Sequence, residues 1–216
     1  MKFPIVALTL ASFAWAGPVP VIETRQTAAT SNEFTIGGCR DVIFIWSRGS
    51  TEVGNMGTIV GPPVSNGLKA KFGATKVATE GVDYAALLST NFLPGGADPV
   101  GIALMSQLLT QAATQCPNSK IVAGGYSQGA AMTHRAVEQL SASVISRIAG
   151  IVLFGDTQYL QSNGRIANYP TSKTKIYCAF GDLVCAGTLT ITAAHLSYGA
   201  DADDAAAFLV DRINAA

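Results

Sequence analysis

The stretch from Ile121 to Ala130 reads Ile-Val-Ala-Gly-Gly-Tyr-Ser-Gln-Gly-Ala, and it constrains this chain more than any other. It contains Gly125-Tyr126-Ser127-Gln128-Gly129, a G-x-S-x-G pattern, between an apolar β-prone run (Ile121, Val122, Ala123) and a helix-forming run (Ala130 to Leu140). A strand that turns directly into a helix needs glycine on either side of the bend, where a Cβ would clash. The residue at the apex is lifted above the sheet edge, beside the unpaired N–H groups that open the helix. By itself Gly-x-Ser-x-Gly is an ordinary glycine-rich turn. Between a strand and a helix it marks Ser127 as a candidate nucleophile, provided that partners lie downstream.

A serine alcohol is a poor nucleophile at neutral pH. It needs a base within hydrogen-bond reach and an acid that orients the base. The chain has two histidines. His134 lies on the helix that follows Ser127, about 10.5 Å further along its axis, and reads as a helix-surface or packing residue. His195, in the loop Leu189 to Tyr198, is by elimination the candidate base. Two aspartates suit the acid, Asp156 and Asp182. Each follows a β-prone run, and open α/β sheets place their sites at the carboxyl ends of strands. Asp182 is favoured because it closely precedes His195 and lies between Cys178 and Cys185. Asp156 is left as an ordinary loop carboxylate, and Glu138 sits on the elbow helix beyond reach. The order Ser127, Asp182, His195 is one that serine hydrolases use. An oxyanion needs donors, and the N–H of Gln128 is the first. Ser50, in the loop after an early strand, is the candidate for the second, with a plain loop role equally open.

The β-prone runs are Asp41 to Trp46, Lys76 to Thr79 (continuing toward Tyr84), the run before Ser127, Ile148 to Phe154, and Thr174 to Phe180. Helices are expected from Pro62-Pro63 to about Phe72 with Gly73 as the stop, after an Asp98 cap with Pro99 at the first helical position, after Ser127, and over Ala202 to Asn214 capped by Asp201. The Asp98 helix carries a stripe (Ile102, Met105, Leu108, Leu109, Ala112, Cys116) at helical spacing. Strands alternating with helices imply an α/β fold with a five-stranded parallel sheet, covered on both faces, in one domain over residues 32–216.

Lys2, the apolar stretch Phe3 to Phe13 and Ala14-Trp15-Ala16 form a secretory signal, with cleavage after Ala16. The apolar run is short of the ~20 residues that span a bilayer, so no stable membrane insertion is expected. Residues 17–31 are polar, hold Pro18 and Pro20 and show no periodicity. They read as a mobile arm or propeptide outside the core. In a secreted chain the four cysteines read as disulfides. Three pairings exist. Cys178 and Cys185 are close and flank a Gly-Asp turn, which leaves Cys39 for Cys116. No C-x-x-C is present, so no metal site is expected. Only 13% of residues are charged, against a usual ~25%. The formal charge is zero, which gives no footprint for nucleic acid.

Gly124-Gly125-Tyr126-Ser127-Gln128-Gly129-Ala130, Gly181-Asp182-Leu183-Val184-Cys185, Arg48-Gly49-Ser50-Thr51-Glu52, Gly164-Arg165-Ile166-x-Asn168-Tyr169-Pro170 and His195-Leu196-x-Tyr198-Gly199 together resemble the fungal cutinases. They run in family order over about residues 35–215. The resemblance implies a compact α/β-hydrolase fold and a secreted serine esterase acting on cutin or another apolar ester; no cofactor and a monomer are expected. It maps a catalytic triad onto Ser127, Asp182 and His195, and an oxyanion hole onto Ser50 and Gln128, with Asn91 holding the Ser50 hydroxyl. It supports the Cys39–Cys116 and Cys178–Cys185 pairs. It places two apolar substrate loops beside the nucleophile, here Leu88 to Pro94 with Phe92, and Val184 to Ile191 with Leu189. Ala194 departs from the family, where many relatives have proline. An N-terminal lid, found in some relatives, is left open for residues 17–36. The rival readings are another esterase on the same scaffold, an acetylxylan esterase or a short-chain lipase, and a non-catalytic surface-binding protein or elicitor.

Overall fold

The computed structural model describes residues 26–216. The signal expected over 1–16 and the first part of the 17–31 stretch lie outside the described residues. Along the chain come α1 (Glu33–Gly37), β1 (Val42–Ser47), α2 (Gly61–Phe72), β2 (Val77–Gly81) and α3 (Pro99–Gln115). Then follow β3 (Lys120–Tyr126), α4 (Gln128–Glu138), α5 (Ala142–Arg147) and β4 (Ile148–Phe154). The last elements are α6 (Tyr159–Ser162), β5 (Thr174–Tyr177) and α7 (Ala202–Asn214).

The strands form one parallel sheet in the order β2-β1-β3-β4-β5. β3, which ends at the elbow, is therefore the middle strand. β1 and β4 are buried along their whole length, as continuous apolar runs in a doubly covered sheet should be. Successive side chains alternate between two cores. Ile43, Ile45, Ile121 and Ala123 meet Met105, Leu109, Met132 and Val137 of α3 and α4. Val42, Phe44, Trp46 and Val122 meet Leu68 of α2 and Leu209 of α7. The result is the three-layer αβα arrangement. Among the described residues no helix is long and apolar enough to cross a membrane.

Local chemistry sets the element ends. Asp98 Oδ1 accepts the N–H of Val100 at 2.8 Å and of Gly101 at 3.4 Å, with Pro99 at the first helical position. The cap expected from Asp201 is not made. Asp201 ends a tight turn (Tyr198–Asp201) with helical backbone, φ −92° and ψ −1°, and a capping side chain needs extended backbone. β5 stops at Tyr177, not Phe180, because the chain turns there: Asp182 N–H donates to the Ala179 carbonyl at 2.9 Å, and Phe180 is fully exposed.

Both disulfides are present. Cys39–Cys116 has a Cα–Cα distance of 5.5 Å and a separation of 77, joining the entry to β1 with the exit of α3. A loop of that length corresponds to about 4.5 kcal/mol in the chain-entropy account. Cys178–Cys185, with a Cα–Cα distance of 6.0 Å, closes the turn that carries Asp182.

Residues 26–31 differ from the mobile arm expected of them. Thr27 and Ser31 are buried. Thr27 Oγ1 is 2.6 Å from Ser65 Oγ, and Ser31 Oγ donates to the Thr79 carbonyl at 2.9 Å. Asn55 and Met56 N–H both donate to the Ala29 carbonyl. Ser31, one of the polar residues of this stretch, thus satisfies a carbonyl of β2.

Candidate active site

The sheet ladder continues one step past β3, where Ser127 N–H donates to the Phe154 carbonyl at 2.9 Å. The chain then bends at once into α4, which puts Ser127 at φ 56° and ψ −119°. This is strained backbone for a residue with a Cβ, and the fold around it has to hold it there. Both glycines of the motif are sterically required. A Cβ on Gly129 would lie 2.1 Å from the Ser47 carbonyl oxygen, and one on Gly125 would lie 2.2 Å from that of Gly129.

The structure brings Ser127, His195 and Asp182 together from three segments. His195 Nε2 lies 3.0 Å from Ser127 Oγ, and His195 Nδ1 lies 2.9 Å from Asp182 Oδ2. The imidazole and the carboxylate are 2% and 0% exposed, so their contact is not screened by water. A carboxylate oxygen facing Nδ1 favours the tautomer with the proton there, which leaves the Nε2 lone pair for the serine hydroxyl. Asp182 Oδ1 also accepts the Val184 N–H at 2.9 Å. Tyr126 stacks its ring on the imidazole, centroids 5.2 Å apart, and donates its hydroxyl to the His195 carbonyl at 2.8 Å.

Asp156, the other candidate acid, lies elsewhere. Its Oδ2 is 2.9 Å from Nε2 of His134, close but poorly aligned for a hydrogen bond, and both side chains are fully buried. His134 is therefore a packing residue within the core and not a helix-surface one. Glu138 pairs with Arg135 at 2.7 Å.

Ser50 sits across from Ser127. Its Oγ accepts from Asn91 Nδ2 at 2.9 Å and from Gln128 Nε2 at 3.0 Å. With both lone pairs taken by amide donors, its own hydrogen is left to point elsewhere. The backbone N–H of Gln128 is the first of α4 and has no helical acceptor. Glu52, to which sequence reasoning assigned no role, holds this loop. Its Oε2 accepts the Gly49 N–H at 2.8 Å, and its Oε1 accepts those of Thr58 at 2.9 Å and Ile59 at 3.1 Å. Arg48 donates to the Glu52 and Tyr84 carbonyls, both at 2.8 Å. A carboxylate three residues after a glycine in a polar loop was the available signal. Glu52→Ala is expected to lower kcat on p-nitrophenyl butyrate about tenfold, less than the ~10²–10³ lost with a direct oxyanion donor, because it loosens the Gly49–Ser50 backbone and removes no N–H facing Ser127.

The Cutinase family model matches residues 38–213. The chain belongs to the cutinase family. It is a carboxylic ester hydrolase with the α/β-hydrolase fold. Cutinase CUT2 of Pyricularia oryzae is 51% identical over 214 residues, covering 99% of this chain and all of that protein. Probable cutinase 1 of Aspergillus niger is 47% identical over 221 residues, covering 99% of this chain and 84% of that one. A solved Trichoderma reesei cutinase in complex with a C11Y4 phosphonate inhibitor matches with a TM-score of 0.77 at 36% identity, covering 86% of this chain and 80% of that one.

In this member of the cutinase family a cavity of about 460 Å³ opens beside Ser127 and His195. Leu88, Val184, Leu189 and Ile191, from the two loops named above, line it. Phe92 does not. It lies exposed in an adjoining groove of about 370 Å³ with Gln161 and Thr188, and Asn91 and Leu189 border both spaces. A short helical turn, Leu88–Phe92, puts Leu88 and Phe92 on different sides of Asn91.

Proposed function

We propose that this protein is a secreted serine esterase that hydrolyses the ester bonds of cutin, the polyester of the plant cuticle, through an acyl-enzyme on Ser127. The observation that carries this reading is the imidazole of His195 bridging Ser127 and Asp182 at the floor of a cavity walled by leucine, valine and isoleucine. His195 Nε2 accepts the hydroxyl proton as Ser127 Oγ bonds to the ester carbonyl carbon. Asp182 stabilises the imidazolium, and the Gln128 N–H and the Ser50 N–H and hydroxyl hold the oxyanion. His195 then protonates the departing alcohol. A water deprotonated by His195 attacks the acyl carbon, and the acid leaves as Ser127 regains its proton. No cofactor enters any step. The two disulfides and the signal-like residues 1–16 support an extracellular setting. Ser127, His195 and Asp182 all come from one chain, so the proposed chemistry needs no residue from a second subunit.

The test compares product release from cutin, acetylated xylan and p-nitrophenyl butyrate, with Ser127→Ala as the blank. Release from cutin and butyrate with little from xylan is expected. Preference for xylan would assign the site to an acetylxylan esterase, and equal release by the blank would assign the chain to a non-catalytic role. The rate on butyrate is further expected to fall as acid protonates His195. A level rate from roughly pH 8 to roughly pH 5 would remove His195 as the base.

A further inference from the structure

Tyr198 belongs to the His195-Leu196-x-Tyr198-Gly199 motif, yet the chemistry above gives it no task. It is fully buried, in the tight turn that joins the His195 loop to α7. Its hydroxyl donates to Asp182 Oδ2 at 2.5 Å and accepts the Ala179 N–H at 3.0 Å. The Ala179 donor occupies a lone pair of the phenol oxygen and so turns the O–H toward the carboxylate. The other nearby acceptor, Cys185 Sγ at 3.9 Å, is a weak one. Burial, and then the bond to Asp182, push the phenol far above its ordinary range, so it remains a donor at every working pH. Asp182 Oδ2 thus serves two donors, the Nδ1 proton of His195 and the phenol of Tyr198, while Oδ1 serves the Val184 N–H.

We propose that Tyr198 is a positioning residue that sets the proton affinity of His195 through Asp182. This rests on the reading of Asp182 and His195 as the orienting acid and the base. A hydrogen bond to a carboxylate withdraws charge from the oxygen that receives it. With the phenol in place, Oδ2 stabilises the imidazolium less than a free carboxylate would, and His195 releases its proton more readily to the leaving alcohol. The bond also clamps the carboxylate in the plane that reaches Nδ1. The titratable groups about the imidazole are Asp182 at Nδ1, Tyr126 stacked on one face, Tyr198 at the edge and, beyond Tyr126, Glu52. Tyr198 is the one bonded to the same carboxylate oxygen as the imidazole.

The experiment is Tyr198→Phe in the full chain, which deletes one oxygen and keeps the ring packing. The acid limb of kcat/KM on p-nitrophenyl butyrate is expected to move to higher pH by about half a unit, because the imidazolium gains stabilisation. kcat should fall severalfold at the optimum, with KM within about twofold. The Nδ1 proton resonance should shift in the proton NMR spectrum. A purely structural Tyr198 would lower Tm and leave both the limb and the resonance where they are, and that result overturns the proposal. Should Tyr198→Phe fail to fold, 3-fluorotyrosine placed at position 198 keeps the bond and strengthens the donor. The limb must then move to lower pH, and an unmoved limb overturns the proposal equally. Failure of the underlying reading looks different: Asp182→Asn would retain wild-type activity, or the wild type would show no acid limb at all, and the proposal falls with it.

Discussion

Ser127→Ala is expected to lower kcat by about six orders of magnitude and Asp182→Asn by about four, with the fold of both variants intact. The serine effect follows from the loss of the atom that forms the acyl bond. The remaining rate is that of water attacking an ester held against the proposed Gln128 and Ser50 donors. The aspartate effect is subtler. Asparagine fills the same space and still offers an oxygen or an amide to His195 Nδ1, 2.9 Å away. Its amide protons, however, allow the imidazole to settle with the hydrogen on Nε2, which then faces Ser127 Oγ as a donor and cannot take its proton. The loss should appear in kcat, with KM for a short ester nearly unchanged, since Asp182 is buried and lies away from the cavity wall. Single-turnover kinetics on p-nitrophenyl butyrate check this by separating acylation from release. Retention of more than about a tenth of the wild-type kcat by Asp182→Asn would transfer the acid to another residue.

That experiment tests a choice made from the sequence, and the reason for the choice is physical. Asp182 is separated from His195 by one short loop and held inside a ring of cysteines, so few backbone paths keep it away from the imidazole. The strands were legible for a related reason. Ile148 to Phe154 is a short apolar run rich in β-branched residues, which suits a strand covered on both faces, and β4 has those bounds. The Asp98-Pro99 pair likewise announced α3. Features that depend on distant partners were hidden. Asp201 resembles a cap until the preceding turn makes its backbone helical. Residues 26–31 resemble an arm until Ser65, Asn55 and Thr79 supply their hydrogen bonds. Phe92 sits in the expected substrate loop, but the turn around Asn91 aims it into the neighbouring groove. Glu52 and Tyr198 were visible as motif letters, and only the three-dimensional contacts give each of them work.

The histidine and the aspartate that the proposed triad leaves over, His134 and Asp156, lie together, and removing either side chain is expected to cost about 1–3 kcal/mol of stability in His134→Ala or Asp156→Ala. Both side chains are fully buried, so removing either one strands its partner in a medium that cannot hydrate it. Asp156 also anchors the turn after β4, where its Oδ1 accepts the Gln158 N–H at 2.9 Å. Gln158 in turn receives Arg135 from α4, and Arg135 reaches the Gly95 carbonyl at 3.4 Å. The cluster ties α4 to the loops below Phe92 and keeps away from the cavity. Chemical denaturation should therefore show the loss in stability, while kcat/KM at a temperature where the variants remain folded stays within about twofold of wild type. Replacing both residues together, as His134→Leu with Asp156→Leu, should recover most of the loss, because the desolvation penalty disappears with the buried polar atoms. A double-mutant cycle built from these variants gives the coupling directly. Coupling near zero would mean that the two side chains are neighbours without being partners. A fall in kcat by Asp156→Ala comparable to that of Asp182→Asn would mean that the reaction depends on the aspartate after β4 as well as on the one after β5.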